Sequence, residues 1–178
     1  MAEYLTANAP VKETAAKTQK VTESKTNTTA SAADTTKKTT TEKSDNSERS
    51  VISYTDEEFE MMCYVLQGEV GGCSDASKIA VANVIINRVK SSRFPDSIKG
   101  VLTAPNQFTA ISAYYNKTNA PSKNTKDCAK RALNGEGADA SKGATYYYAP
   151  KYCSGSSAAW FESLTFCMEL EGQRFFKN

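Results

Sequence analysis

The sequence predicts an α+β domain, mainly helical with a small β element, preceded by a disordered tail. Three observations carry that prediction. Residues 1–50 are rich in Thr, Lys, Ala, Ser and Glu, lack Gly, Phe, Trp and Cys, and offer only Leu5, Val11 and Val21 as branched aliphatics. So little apolar surface cannot offset the entropy of ordering a backbone, and the stretch reads as a solvated linker. From Val51 the composition changes, and between residues 56 and 89 apolar residues recur with a helical period. One run, Ala144-Thr145-Tyr146-Tyr147-Tyr148-Ala149-Pro150, has the aromatic and β-branched character of a strand. The expected division is therefore a tail over 1–50 and one folded domain over 51–178.

In the first helix Phe59, Met62, Cys63 and Leu66 share a face at i, i+3, i+4 and i+7. Thr55 or Asp56 can start it, because a short oxygen-bearing side chain satisfies a free N–H of the first turn, and Gly71-Gly72 can end it. A second helix begins at Ser74 or Asp75. Its Ile79, Val81, Ala82, Val84, Ile85, Ile86 and Val89 are apolar nearly all round, which places it in a core. Ser91 to Asp96 is a loop containing Pro95, and residues 97–102 form a short helix or turn. Tyr114 to Asn124 reads as a polar loop. Asn124 or Thr125 can cap a third helix that carries Cys128, Ala129, Ala132 and Leu133 and closes at Asn134-Gly135. In the strand after it, alternation sends Tyr147 to the face opposite Tyr146 and Tyr148. Ser154 to Ser157 reads as a loop, and Phe166 to Phe176 as a second strand or an irregular segment.

The residue with the clearest chemical potential is Glu69, where the apolar first helix stops. A carboxylate at the carbonyl end of a helix holds its proton more tightly, and the Gly-rich corner against a buried helix holds the side chain on a rigid support. Glu69 is thus a candidate general acid. Asn106-Gln107-Phe108 sets an amide beside a ring, a pair suited to a sugar, since an amide bonds hydroxyl or acetamido groups while a ring covers an apolar face. Tyr147, Tyr148 and Trp160 are further candidates to line such a groove.

Composition removes several function classes. The chain has no histidine, which excludes Ser-His-Asp and Cys-His nucleophile pairs and the His-Glu-x-x-His zinc site. The tail holds eight basic and seven acidic residues, leaving fourteen and thirteen for the rest, so no concentrated basic face is available for nucleic acid. Cys63, Cys73, Cys128, Cys153 and Cys167 form no Cys-x-x-Cys pair, so neither a metal nor another cofactor is called for. Cys63, Cys128 and Cys167 read as buried thiols, whereas Cys73 and Cys153 lie in turns and could form a disulfide. The sequence contains no transmembrane run and no apolar signal-peptide core.

An ordered series of motifs resembles the spore-cortex-lytic type of cell wall hydrolase. The series runs through Gln67-Gly68-Glu69-Val70-Gly71-Gly72, Ile79 to Val89, Arg93-Phe94-Pro95, Gln107-Phe108, Gly143 to Tyr148, Trp160 and Gly172 to Phe176. The resemblance covers roughly residues 54–177. It implies a lysozyme-like catalytic domain that cuts peptidoglycan glycan strands as a lytic transglycosylase, with the residue matching Glu69 as catalytic acid. It also implies a monomer that is secreted or associated with the cell wall or spore during germination, its precursor carrying an export signal that this chain does not show. Two positions depart from the family pattern: Ala149-Pro150 replaces Asn-Pro, and Gly172-Gln173-Arg174 replaces Gly-Asn-His. Both departures bear on substrate preference. Two alternatives accompany this reading. One is hydrolysis with a second carboxylate drawn from Asp75, Asp96, Glu136 or Asp139, and the other is a wall-binding module without catalysis.

Overall fold

The computed structural model describes residues 50–136 and 138–178. Except for Ser50, the expected tail lies outside these residues. The first helix, α1, spans Asp56–Val70 and starts from a capping box: Thr55 Oγ1 accepts from the Glu58 N–H at 3.2 Å and Glu58 Oε2 accepts from the Thr55 N–H at 2.9 Å. Asp56, Glu57 and Glu58 add negative charge where the helix dipole favours it. Helix α2 spans Asp75–Lys90 with Ser74 as its cap, and every residue from Ser77 to Ile86 is buried. It is the central helix of the core, in contact with α1, with α3 (Ile98–Thr103) and with α5 (Lys123–Leu133). Among the described residues no helix is long and apolar enough to cross a membrane.

Three local expectations need correction. Ser122, not Asn124 or Thr125, caps α5: its Oγ accepts from the Thr125 N–H at 3.1 Å. The other two side chains are engaged elsewhere, Asn124 on Asp75 at 2.7 Å and Thr125 on Gln67 at 2.7 Å. The stretch expected to be a loop from Tyr114 begins inside a short helix, α4 (Ile111–Asn116), which ends at Lys117 with φ 51°. Two turns are too few to show a period, and packing supplies the reason for the helix, since Tyr114 meets Tyr64 edge-on at 5.7 Å. Residues 155–157, expected in a loop, open helix α6 (Gly155–Glu162), which is anchored by the buried Phe161.

The small β element is a three-stranded antiparallel sheet in the order β1-β3-β2, with β1 at Tyr146–Tyr148, β2 at Thr165–Leu170 and β3 at Gln173–Lys177. Glu171 and Gly172, with φ 48° and 75°, join β2 to β3 in the doubly left-handed turn that matches the twist of a hairpin. The Glu171 carboxylate then accepts from Ser77 Oγ at 2.8 Å and from the Ser74 N–H at 3.2 Å, which ties the hairpin tip to the start of α2. The predicted alternation holds in β1. Tyr147 joins the main core with Phe175, while Tyr148 enters a second aromatic cluster with Phe161 and Phe176, flanked by Tyr146 and Trp160.

All five cysteines are free thiols. Cys63 and Cys128 are buried as expected, but Cys167 is only half-buried on β2. Cys73 packs on the main core and Cys153 on the second cluster, so the disulfide considered for them is not formed.

Candidate active site

Glu69 lies in the last turn of α1, half-buried, with its carboxyl turned towards β1. Tyr147 donates its phenol hydrogen to Glu69 Oε2 at 2.9 Å. Burial pushes the Glu69 carboxyl from its ordinary 4.5 up to about 7, against the Tyr147 hydrogen bond and the Arg88 charge, both of which pull it down. Desolvation, rather than the helix end considered from sequence, is the largest cause. Burial, followed by the nearby Glu69 charge, also raises the Tyr147 phenol well above its usual value, so it remains a donor at neutral pH.

Arg88 is the charged residue that acts on this carboxyl, and the sequence reading gave it no role. It is fully buried in the last turn of α2, where Nε donates to the Thr145 carbonyl at 2.7 Å and one terminal nitrogen donates to Gln107 Oε1 at 3.1 Å. Its guanidinium carbon lies 5.1 Å from the Phe94 ring centre, 5.0 Å from that of Phe108 and 5.5 Å from that of Tyr146. Aromatic faces and carbonyls together offset the loss of water around the cation. Burial still lowers its pKa to about 10, which leaves it charged at neutral pH. A signal was available in the sequence: Arg88 stands one turn after Val84 and Ile85 and next to Val89, on a largely apolar stretch where a buried cation would need acceptors.

The Gln107-Phe108 loop is brought to the same place by close backbone packing. A β-carbon on Gly68 would stand 2.7 Å from that of Ala110, so only glycine lets α1 meet the start of α4 this closely. Phe108 is buried under Arg88, whereas Gln107 is half-buried, with its carbonyl end occupied by the guanidinium. An arginine only donates, so the Gln107 group left to face a ligand is its NH₂. One helix away, Gln67 accepts from the Ser122 N–H at 3.0 Å and from Thr125 Oγ1, fixing the end of α1 against α5.

Glu69, Gln107, Phe108 and Tyr147 are thus linked through hydrogen bonds and Arg88, while Tyr148 and Trp160 are not. Tyr148 points into the second cluster and donates to Glu162, and Trp160 packs edge-on against Tyr146 at 5.3 Å. Arg174 also belongs there, bonded to Glu162 at 2.5 Å. Of the four acids considered as a second carboxylate, Asp75 is held by Asn124 and Arg131, and Glu136 by Arg131. Asp139 accepts from Asn87, Ser141 and Gly143, and Asp96 is exposed in the loop before α3. None of the four figures among the groups acting on Glu69, which are Tyr147 and Arg88.

Comparison with known proteins gives concordant matches. The family model described as Cell Wall Hydrolase matches residues 72–176, beginning three residues after Glu69. A spore cortex-lytic enzyme of Halalkalibacterium halodurans is 38% identical over 97 residues, which are 54% of this chain and 28% of that protein. One of Oceanobacillus iheyensis is 34% identical over 97 residues, or 54% of this chain and 34% of that protein. The chain therefore spans about a third of the length of these curated relatives. Two solved structures share the fold with a TM-score of 0.60 and 28% identity over 70% of this chain. One is the catalytic domain of the Bacillus cereus SleB protein, covered over 93% of its length. The other is the catalytic domain of a germination-specific lytic transglycosylase, SleB, from Bacillus anthracis, covered over 97%.

Proposed function

The chain belongs to the Cell Wall Hydrolase family, and from that premise we propose that it cuts the glycan strands of peptidoglycan as a lytic transglycosylase, with Glu69 as both acid and base. The observation that carries this reading is a single carboxyl whose pKa is raised by burial to about 7 and which is oriented by Tyr147. A group with that value is partly protonated at neutral pH and can both give and take a proton.

Glu69 first donates its proton to the oxygen between N-acetylmuramic acid and N-acetylglucosamine as the bond to the anomeric carbon breaks. The carboxylate that remains accepts the hydrogen of the muramic acid 6-hydroxyl while that oxygen closes onto the anomeric carbon. The products are an anhydro end and a new hydroxyl end, and Glu69 regains its proton. Charge develops on the sugar and on Glu69 in turn, and the Tyr147 hydrogen bond and the Arg88 charge favour the ionised carboxylate midway. The Gln107 NH₂ is suited to an acetamido carbonyl.

Support for one acid rather than two comes from the engagement of Asp75, Glu136 and Asp139 with other partners. Hydrolysis requires a second carboxyl about 5–5.5 Å or about 6.5–9.5 Å from the first, depending on stereochemistry. The test is mass spectrometry of purified peptidoglycan digested by the native chain and by Glu69→Gln. Anhydro ends from the native chain alone are the expected result. Reducing ends carrying a water oxygen would overturn the transglycosylase step, and binding without cleavage by both proteins would assign a wall-binding module instead.

A further inference from the structure

Near the end of α2 the structure has a cleft of about 290 Å³ whose lining includes the exposed Lys90, Arg93 and Lys177. They come from three places in the chain: the last turn of α2, the loop after it and the end of β3. Among the described residues none of the three makes an ion pair and no Asp or Glu side chain lines the cleft, although the Asn178 side-chain oxygen, also at the cleft, can accept from the Arg93 guanidinium at 3.2 Å. The acid bonded to its wall, Asp139, is committed to Asn87, Ser141 and Gly143. The Lys177 side chain lies over Gly143, with Nζ 3.8 Å from where a β-carbon would stand, which keeps the ammonium at the cleft. Three basic side chains at the cleft against the one carboxylate bonded to its wall, Asp139, leave a net positive potential in the concavity, so the complementary occupant is an anion.

Size and wall chemistry narrow the choice. A volume of about 290 Å³ admits one or two residues of a peptide rather than a length of polymer. Phe94 offers an apolar edge beside the cations, suited to a short aliphatic side chain. The cleft also adjoins the Glu69 site. The Phe94 ring carries the Arg88 guanidinium, and Thr145, whose carbonyl accepts from Arg88, lines the cleft as well. Peptidoglycan presents anions in this form: stem peptides attached to muramic acid bear free carboxylates next to alanine methyl groups.

We propose that this cleft binds the carboxylates of a peptide stem on the glycan strand held at Glu69, making Lys90, Arg93 and Lys177 determinants of preference for stem-bearing strands. The choice of ligand rests on the peptidoglycan reading above, whereas the anion site stands on its own geometry. The direct test titrates the full chain with a synthetic stem tetrapeptide bearing free carboxylates and with its fully amidated form, followed by NMR. Tighter binding of the acid form, by about tenfold, is expected, with shifts centred on Phe94 and Thr145. The Lys90→Gln/Arg93→Gln/Lys177→Gln variant should lose that preference, and each single variant part of it. On stem-bearing glycan the triple variant should show kcat/KM about tenfold lower than native, with little change on strands stripped of stems by an amidase. Equal binding of both peptides, an unaffected triple variant, or preference for a polyglycerol phosphate over the peptide would overturn the proposal. A native chain that cleaves neither strand would sink the glycosidase reading instead, and the peptide titration would still decide the cleft.

Discussion

The phenol of Tyr147 donates to Glu69 Oε2 at 2.9 Å, joining the first strand of the sheet to the last turn of α1. A hydrogen bond given to a carboxylate stabilises its ionised form, so this contact restrains the rise in pKa that burial causes. Tyr147→Phe removes the donor and keeps the ring stacked on Phe175. The Glu69 pKa should then move above 7, and the alkaline limb of the pH–rate profile should shift up by about one unit. The maximal rate should fall about tenfold because the carboxyl is no longer held in place. Turnover of soluble glycan fragments between pH 5 and 9 checks both effects, and a profile with an unmoved limb would separate Tyr147 from proton transfer.

The same raised pKa has a consequence for stability. Glu69 binds its proton more tightly folded than unfolded, so its contribution is fully present below about 4.5 and is lost as pH rises through about 7. Glu69→Gln has no such proton to lose, and its amide oxygen can still accept from Tyr147. Between pH 4.5 and pH 8 the variant should therefore gain on the native chain by about 2–3 kcal/mol while losing activity. Urea denaturation of both proteins at the two pH values measures the gap, and a gap that does not change with pH would mean that the carboxyl is as well solvated folded as unfolded.

What the sequence made legible follows from how local each signal is. A cap at Thr55 or Asp56, the largely apolar run of α2 and the Tyr146–Tyr148 alternation are short-range patterns, and each appears in the fold, the cap falling on Thr55. Helices α4 and α6 depend on what Tyr114 and Phe161 meet across space, which no window of sequence contains. The candidate site divides in the same way. Glu69 was visible from its place at a helix end, whereas its link to Tyr147, 78 residues away in sequence, is tertiary. Tyr148 and Trp160 are expected beside it from residue type and from the motif series, and the pleat of β1 directs Tyr148 into the second cluster.

Arg88 connects the two halves of the site, and its variants should distinguish charge from geometry. Arg88→Met fills the space between Phe94, Phe108 and Tyr146 but leaves the Thr145 carbonyl and Gln107 Oε1 without their donors. A cost of about 3–5 kcal/mol is expected. Arg88→Lys keeps the charge with a single donor head, which cannot reach both acceptors in the planar geometry of a guanidinium. It should be less destabilised than Arg88→Met and still lose activity, because Gln107 is released. Thermal melts beside kinetic assays separate the two outcomes, and full activity in Arg88→Lys would show that charge alone suffices.

Gly68 is where the position of the loop can be tested without touching any reacting group. A β-carbon there would stand 2.7 Å from Ala110 Cβ, which is bound directly to backbone and cannot swing aside. Alanine favours a helix over glycine by about 1 kcal/mol, while overpacking costs about 1–3 kcal/mol. Gly68→Ala should thus change stability little, by about 2 kcal/mol at most on these figures. The displacement, however, falls on the segment that carries Gln107 and Phe108 to Arg88, so activity should drop about tenfold or more. Ala110→Gly in the same chain removes the obstructing carbon at a position where a helix start tolerates glycine, and it should restore most of the lost activity. If the double variant remains as inactive as Gly68→Ala, the defect lies in α1 itself and not in the distance between α1 and the Gln107 loop.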